Sequence, residues 1–365
     1  LRVHPSPTAT LRQLNGQPDP DVELPLVSAD TAHGSTDARQ WTKRLVCYQQ
    51  PSLARSWIEI LVTVVPFAAL WTVTAVAIMY DQWWGLILTI PTAGFLVRLF
   101  VLQHDCGHGA LFPGRRANDW TGRALGVLTF TPYDYWRRTH AVHHATAGNL
   151  DKRGIGDVLT LTVREYRALS PLARSRYWLY RHPVVMFGLG PAWLFVCQHR
   201  LPIGLMRSGA LPWISALGTN LGIVLPALGL IWIMGVWPFL LVQLPITLMA
   251  ATAGVWLFYV QHQFETTHWA DDEAWQFQHA ALHGSSNYEL PAILRWFSGN
   301  IGIHHIHHLS SRIPFYHLPK VLDDHPELNA IGRVTLLESL KGVRLVLWDE
   351  HSGRLVSFRE ARRAT

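Results

Sequence analysis

The stretch WGLILTIPTAGFLVRLFVLQHDCGH, residues 84–108, decides the architecture. Residues 84–102 are an apolar run whose one cation, Arg98, sits toward its inner end. A helix of that length crosses a hydrocarbon core of roughly 30 Å. The run leads straight into His104 and His108. Their i, i+4 spacing places both imidazoles on one helix face. A membrane span and a pair of metal-type ligands thus share one continuous element.

Working outward, a second apolar run, 57–80, precedes the first, with Asp81-Gln82-Trp83 as the turn between them. Residues 56–97 contain no Lys or Arg. Neither run has a polar face, which argues against a hairpin buried in a water-soluble protein. A second window without Lys or Arg, 208–294, holds runs 211–234 and 237–259 with a turn near Gly235. Pro226, Pro238 and Pro245 are expected to kink or cap these helices, which membrane helices tolerate. The apolar stretch 183–197 is shorter and broken by Gly and Pro, so it reads as an interfacial or re-entrant segment. The expected fold is an all-α integral membrane protein: four transmembrane helices in two hairpins, with a cytoplasmic helical cap. Residues 1–50 read as a polar cytoplasmic tail, 51–330 as the membrane domain, and 331–365 as a cytoplasmic C-terminal tail packed as a small cap.

Composition agrees. Hydrophobic residues make up 49% and charged residues 15%, too few charges for a wholly water-facing surface. The 17 Trp suit membrane interfaces. The net charge of +6 arises from Lys and Arg that flank the apolar runs, a pattern of a cytoplasmic membrane face rather than of nucleic-acid binding. With four spans, both termini, all the histidine clusters and all 31 Lys and Arg fall on one side, which the positive-inside rule names cytoplasmic.

Three clusters carry the chemistry: His104 and His108 in HDCGH, His140, His143 and His144 in HAVHH, and His304, His307 and His308 in HHIHH. Each repeats a one-face helical spacing, provided His305 points away. His262, at the end of the fourth span, adds a ninth nitrogen. Nine exceed what one zinc takes, whereas two ions with four or five nitrogens each fit the count. Ligand type alone leaves zinc, copper, iron and nickel open. Metal-bound imidazoles need their other nitrogen oriented. Asp105, Asp134, Asp157, Glu265 and Asn300 are near enough in sequence; Glu265, one turn from His262, and Asn300, one turn before His304, are the preferred partners. Asn300 is also a direct or water-mediated ligand candidate. Cys106 reads as a packing residue and not a sulfur ligand. Among the remaining histidines, His268, His279 and His283 follow the fourth span irregularly, with His283 the strongest extra contributor. A metal transporter would place such groups at mid-membrane, and a metalloprotease would carry HExxH; neither pattern is present.

HDCGH, HAVHH and HHIHH resemble the three histidine boxes, HxxxH, HxxHH and HxxHH, of integral-membrane fatty acid desaturases. Residues 131–166 (TPYDYWRRTHAVHHATAGNLDKRGIGDVLTLTVREY), 260–270 (VQHQFETTHWA) and 299–319 (GNIGIHHIHHLSSRIPFYHLP) are similar to the bacterial acyl-lipid, delta-12-like branch. The resemblance covers about residues 50–330. It implies that the nine histidines ligate two irons, and that O2 is reduced with electrons from ferredoxin or a similar carrier. It further implies a cis double bond in a fatty acyl lipid, oleoyl to linoleoyl, made at the bacterial inner membrane. Arg137, Arg138, Lys152 and Arg153 are candidates for donor or headgroup contact. A histidine-box hydroxylase or ketolase is the alternative that shares this metal chemistry.

Overall fold

The computed structural model describes residues 40–154 and 156–363. Helix α1 (Leu53–Met79) starts at Ser52, whose hydroxyl accepts the Arg55 N–H and so satisfies one free donor of the first turn. After a short 3-10 turn, Trp83–Leu88, α2 (Thr89–His108) runs back beside it. Helices α3 (Arg115–Leu128), α4 (Tyr133–Thr146) and α5 (Pro171–Arg181) follow. The second hairpin is α6 (Ala210–Met234) and α7 (Val236–His262), joined through Gly235 at φ +85°, a backbone state glycine adopts without a Cβ clash. Short helices α8 (Phe277–His283) and α9 (His304–Leu309) come last before the C-terminal segment.

Among the described residues, four helical stretches are long and apolar enough to cross a membrane: Leu53–Met79, Trp83–His108, Ala210–Met234 and Val236–His262. They are the four expected spans. Two extend beyond their expected inner ends, from 102 to 108 and from 259 to 262. The apolar pattern stops where polar side chains begin, but the backbone hydrogen bonding continues, so the histidines ride on the last turns. Helix α2 ends directly after His108 because Gly109 takes φ +68°.

Arg98 is buried within the first hairpin. Its guanidinium pairs with Glu59 of α1, donates to Thr63 Oγ1 at 3.2 Å and to the Trp296 carbonyl, and lies 4.1 Å from the Trp296 ring centroid. A charge at this depth is tolerable because every face of it meets a partner.

The 183–197 stretch forms short α- and π-type turns against α7, where Thr252 Oγ1 donates to the Phe187 carbonyl at 2.7 Å. Among the described residues, five short strands accompany the helices. β1 (Leu161–Thr162) pairs parallel with β4 (Leu347–Asp349), which pairs antiparallel with β5 (Arg354–Val356). β2 (Asn287–Glu289) pairs parallel with β3 (Arg333–Thr335). At two or three residues each, they are too short to show a period of two. Through them, and through Arg181, which donates to the Leu345 carbonyl at 2.8 Å, the C-terminal segment is tied to the histidine-bearing region.

The expected N-terminal tail falls outside the described residues up to position 39. Within 40–50, Trp41, Leu45 and Tyr48 are buried in one cluster with Ile306, Leu309 and Ile313. Their i, i+4, i+7 spacing is a one-face apolar stripe.

Candidate metal centre

Helices α2 and α7 bring His104, His108 and His262 to the same place by their C-terminal ends, and α4 and α9 supply the other six imidazoles. The nine sort into two nests. His104, His108, His140, His144 and His307 form one, and His143, His262, His304 and His308 the other, with one nitrogen per ring within 4.8 Å of every other in its nest. In the first nest, Nε2 of His140 lies 3.0 Å from that of His108 and 3.1 Å from that of His144, which is 3.2 Å from Nε2 of His307. In the second, His262 Nε2 is 3.1 Å from His143 and 3.2 Å from His304, and His304 is 3.0 Å from His308. The nests adjoin, since the rings of His144 and His308 stack at 4.1 Å.

The tautomers of His143 and His262 show that the separation between these two rings calls for a cation. His143 Nδ1 meets Asp157 Oδ1, and His262 Nδ1 meets the Gly284 carbonyl at 3.2 Å. A carbonyl and a carboxylate accept, so each Nδ1 carries the proton and each Nε2 is a bare lone pair. Two bare nitrogens 3.1 Å apart repel unless a positive charge lies between them. Nitrogens about 2.1 Å from a shared ion, subtending about a right angle, are about 3.0 Å apart. The donor set therefore fits a metal ion in each nest.

Burial keeps these imidazoles in the neutral form that metal binding requires. His140, His144, His304, His307 and His308 all bind protons far more weakly than a free imidazole, first because burial penalises the charge and then because neighbouring imidazoles add repulsion. Trp136 stacks on His140 at 4.5 Å and 16°, fixing that ring from its outer side.

The supporting shell differs in part from the expected one. Asp105 is buried, reaches His104 Nδ1 at 3.3 Å, and accepts the Phe315 N–H at 2.7 Å, tying the first cluster to the loop after the third. Glu265 does not orient His262: α7 ends at His262, the chain turns away, and Glu265 is exposed, so Gly284 takes the expected role. Asn300 is not on the helix of His304, which begins at His304 itself; it sits at φ +55° and donates to the Phe315 carbonyl at 3.3 Å. Asp157, weighed with four other residues, is the carboxylate that meets His143. It lies in a loop, with no helical register to mark it. Gly284 acts through its backbone, which no side-chain pattern reveals. His305 points away as required, donating from Nε2 to the Leu328 carbonyl at 3.1 Å. His283 and Cys106 belong to neither nest. Arg137, Lys152 and Arg153 are engaged with Asp119, Asp272 and Glu165. A cavity with room for about one water adjoins His262 and Asp157.

Comparison with known proteins completes the assignment. Residues 81–335 match the family model described as fatty acid desaturase. The chain belongs to the fatty acid desaturase family. It is 43% identical to a fatty acid desaturase of Bacillus subtilis (strain 168) over 322 residues, 88% of this chain and 91% of that one. Two Synechocystis relatives are more distant: an sn-1 acyl-lipid omega-3 desaturase (ferredoxin), 27% identical over 68% of this chain and 69% of its own, and an sn-1 oleoyl-lipid 12-desaturase, 25% identical over 74% and 76%. The desaturase is thus an oxidoreductase whose histidine clusters could bind metal and whose long helices are apolar enough for a membrane.

Proposed function

We propose that this desaturase holds one iron in each imidazole nest. It uses O2 and two electrons from a ferredoxin-type carrier to insert a cis double bond into a lipid-linked fatty acyl chain. The observation that carries the reading is the pair of adjoining nests, with bare Nε2 lone pairs facing each other. All nine histidines, with Asp105 and Asp157 as orienting carboxylates, are the proposed site.

The reaction balances as one CH2–CH2 unit, O2, two electrons and two protons giving CH=CH and two waters. Iron, when bound, supplies the oxidant strong enough for an unactivated C–H bond. The chain's own residues set the conditions. Asp157 and Gly284 hold His143 and His262 in the tautomer that offers Nε2 inward. Asp105 braces His104 while anchoring the loop at Phe315. The four-histidine nest offers one protein nitrogen fewer than its neighbour, so we assign the more open coordination to it. The four long apolar helices, two of which carry histidines on their last turns, support a centre at the edge of a bilayer that lipid-borne chains reach laterally. We place that edge on the cytoplasmic face of the bacterial inner membrane, with both termini on the same side. Two relatives named for ferredoxin support the electron carrier. The position put to the test is delta-12, oleoyl to linoleoyl, in keeping with one relative's name.

The test is expression in a host without polyunsaturated lipids, with ferredoxin and its reductant, followed by chromatography and mass spectrometry of the acyl chains. Expected are new dienes that vanish in His143→Ala and His307→Ala. An unchanged acyl profile overturns desaturation. A double bond at another carbon overturns delta-12 alone, and hydroxylated chains select the hydroxylase alternative.

A further inference from the structure

Outside both nests, two more histidines pack against His279. His279 and His283 stand i, i+4 on α8 with ring centroids 4.6 Å apart, and His268 packs edge-on against His279, also at 4.6 Å. The two segments are held in register by the His268 N–H, which donates to the His283 carbonyl at 3.1 Å. His268 and His279 are half-buried and His283 is exposed. Burial lowers their proton affinity, that of His268 to about 4, so the rings are neutral donors at neutral pH. Their nitrogens converge less tightly than those of the two nests. The exposed His283 has the rotamer freedom to close the gap.

We propose that His268, His279 and His283 form an outer, solvent-facing site for one divalent ion of the zinc type. An i, i+4 histidine pair is a ready two-point chelate on a helix. A third imidazole from a separate segment, with water in the fourth position, completes a tetrahedral set suited to zinc. Imidazole donors select zinc, copper or nickel over magnesium or calcium. The location gives the site a structural consequence. His283 immediately precedes Gly284, whose carbonyl receives the His262 Nδ1 proton. An ion on the outer site therefore fixes the peptide that orients an inner imidazole.

The experiment titrates the full-length, iron-loaded protein in detergent with zinc chloride against a chromophoric chelator. Expected is one zinc per chain beyond the metal in the nests, with an imidazole shell at about 2.0–2.1 Å in zinc-edge X-ray absorption. His283→Ala and His279→Gln should each weaken that increment at least tenfold. Absence of a further zinc, or an increment that persists in both variants, overturns the site. The measured quantity is the increment lost with the outer residues, so it stands apart from whether the nests hold iron or the chain desaturates lipids.

Discussion

At the residue scale, the chemistry rests on which nitrogen of each imidazole carries its proton. Asp157 and Gly284 fix that choice for His143 and His262 in one nest. Orienting groups of this kind typically account for about 10–100-fold in metal affinity. Asp157→Asn should therefore lower iron affinity by about that factor while the fold persists, read as iron per chain after dialysis against a graded chelator. Glu265→Gln should leave iron content unchanged, because Glu265 is exposed and away from His262. His305, buried next to the ligands yet donating to Leu328, gives the contrasting case. His305→Ala should retain iron and lose stability by about 1–3 kcal/mol, the cost of an unpaired buried carbonyl, seen as a lower Tm. The histidines themselves were legible from spacing alone. Of their partners, Asp105 was among those expected from the sequence, while the role of the Gly284 carbonyl was not, because an orienting group needs only proximity in space and has no fixed offset in sequence.

At the scale of elements, two contacts set where the clusters lie. The first is the link between α1 and α2 through Glu59 and Arg98. Arg98→Met leaves Glu59 buried with only Arg55, at 2.7 Å, as a partner, and breaking a buried pair costs about 3–5 kcal/mol. The double variant Glu59→Gln, Arg98→Met should recover part of that loss, checked by thermal unfolding in detergent; a double variant no better than the single would refute the pairing argument. The second contact is the approach of Gly302 to β2, just before the third cluster. A Cβ at Gly302 would lie 2.6 Å from the Tyr288 carbonyl oxygen, a backbone atom that cannot swing aside. Gly302→Ala must shift the entry to α9, so it should reduce iron content and lower Tm together. The spans were readable because apolar runs of that length have few other uses. The strands were not, since pairs such as β1 with β4 join residues nearly two hundred positions apart.

At the scale of the whole molecule, the two hairpins and the cap close around a cluster of neutral nitrogens that only a cation reconciles. Removing metal with a membrane-permeant chelator should lower Tm, and restoring iron should recover it, by the ordinary linkage of ligand binding to folding. On the proposed topology of two membrane-spanning hairpins, tags on the two termini should be accessible from the same face of sealed vesicles. The sequence by itself determined the four apolar helices, the nine histidines and their one-face spacing, because helical periodicity and span length are local properties of the chain. Only the tertiary structure decided how the nine divide into five and four. That division mixes residues from four helices in both directions: His143 and His144 are neighbours in sequence but turn to different nests. Adjacent positions on a helix point about 100° apart, and which neighbouring helix each one meets is set by packing, not by order along the chain.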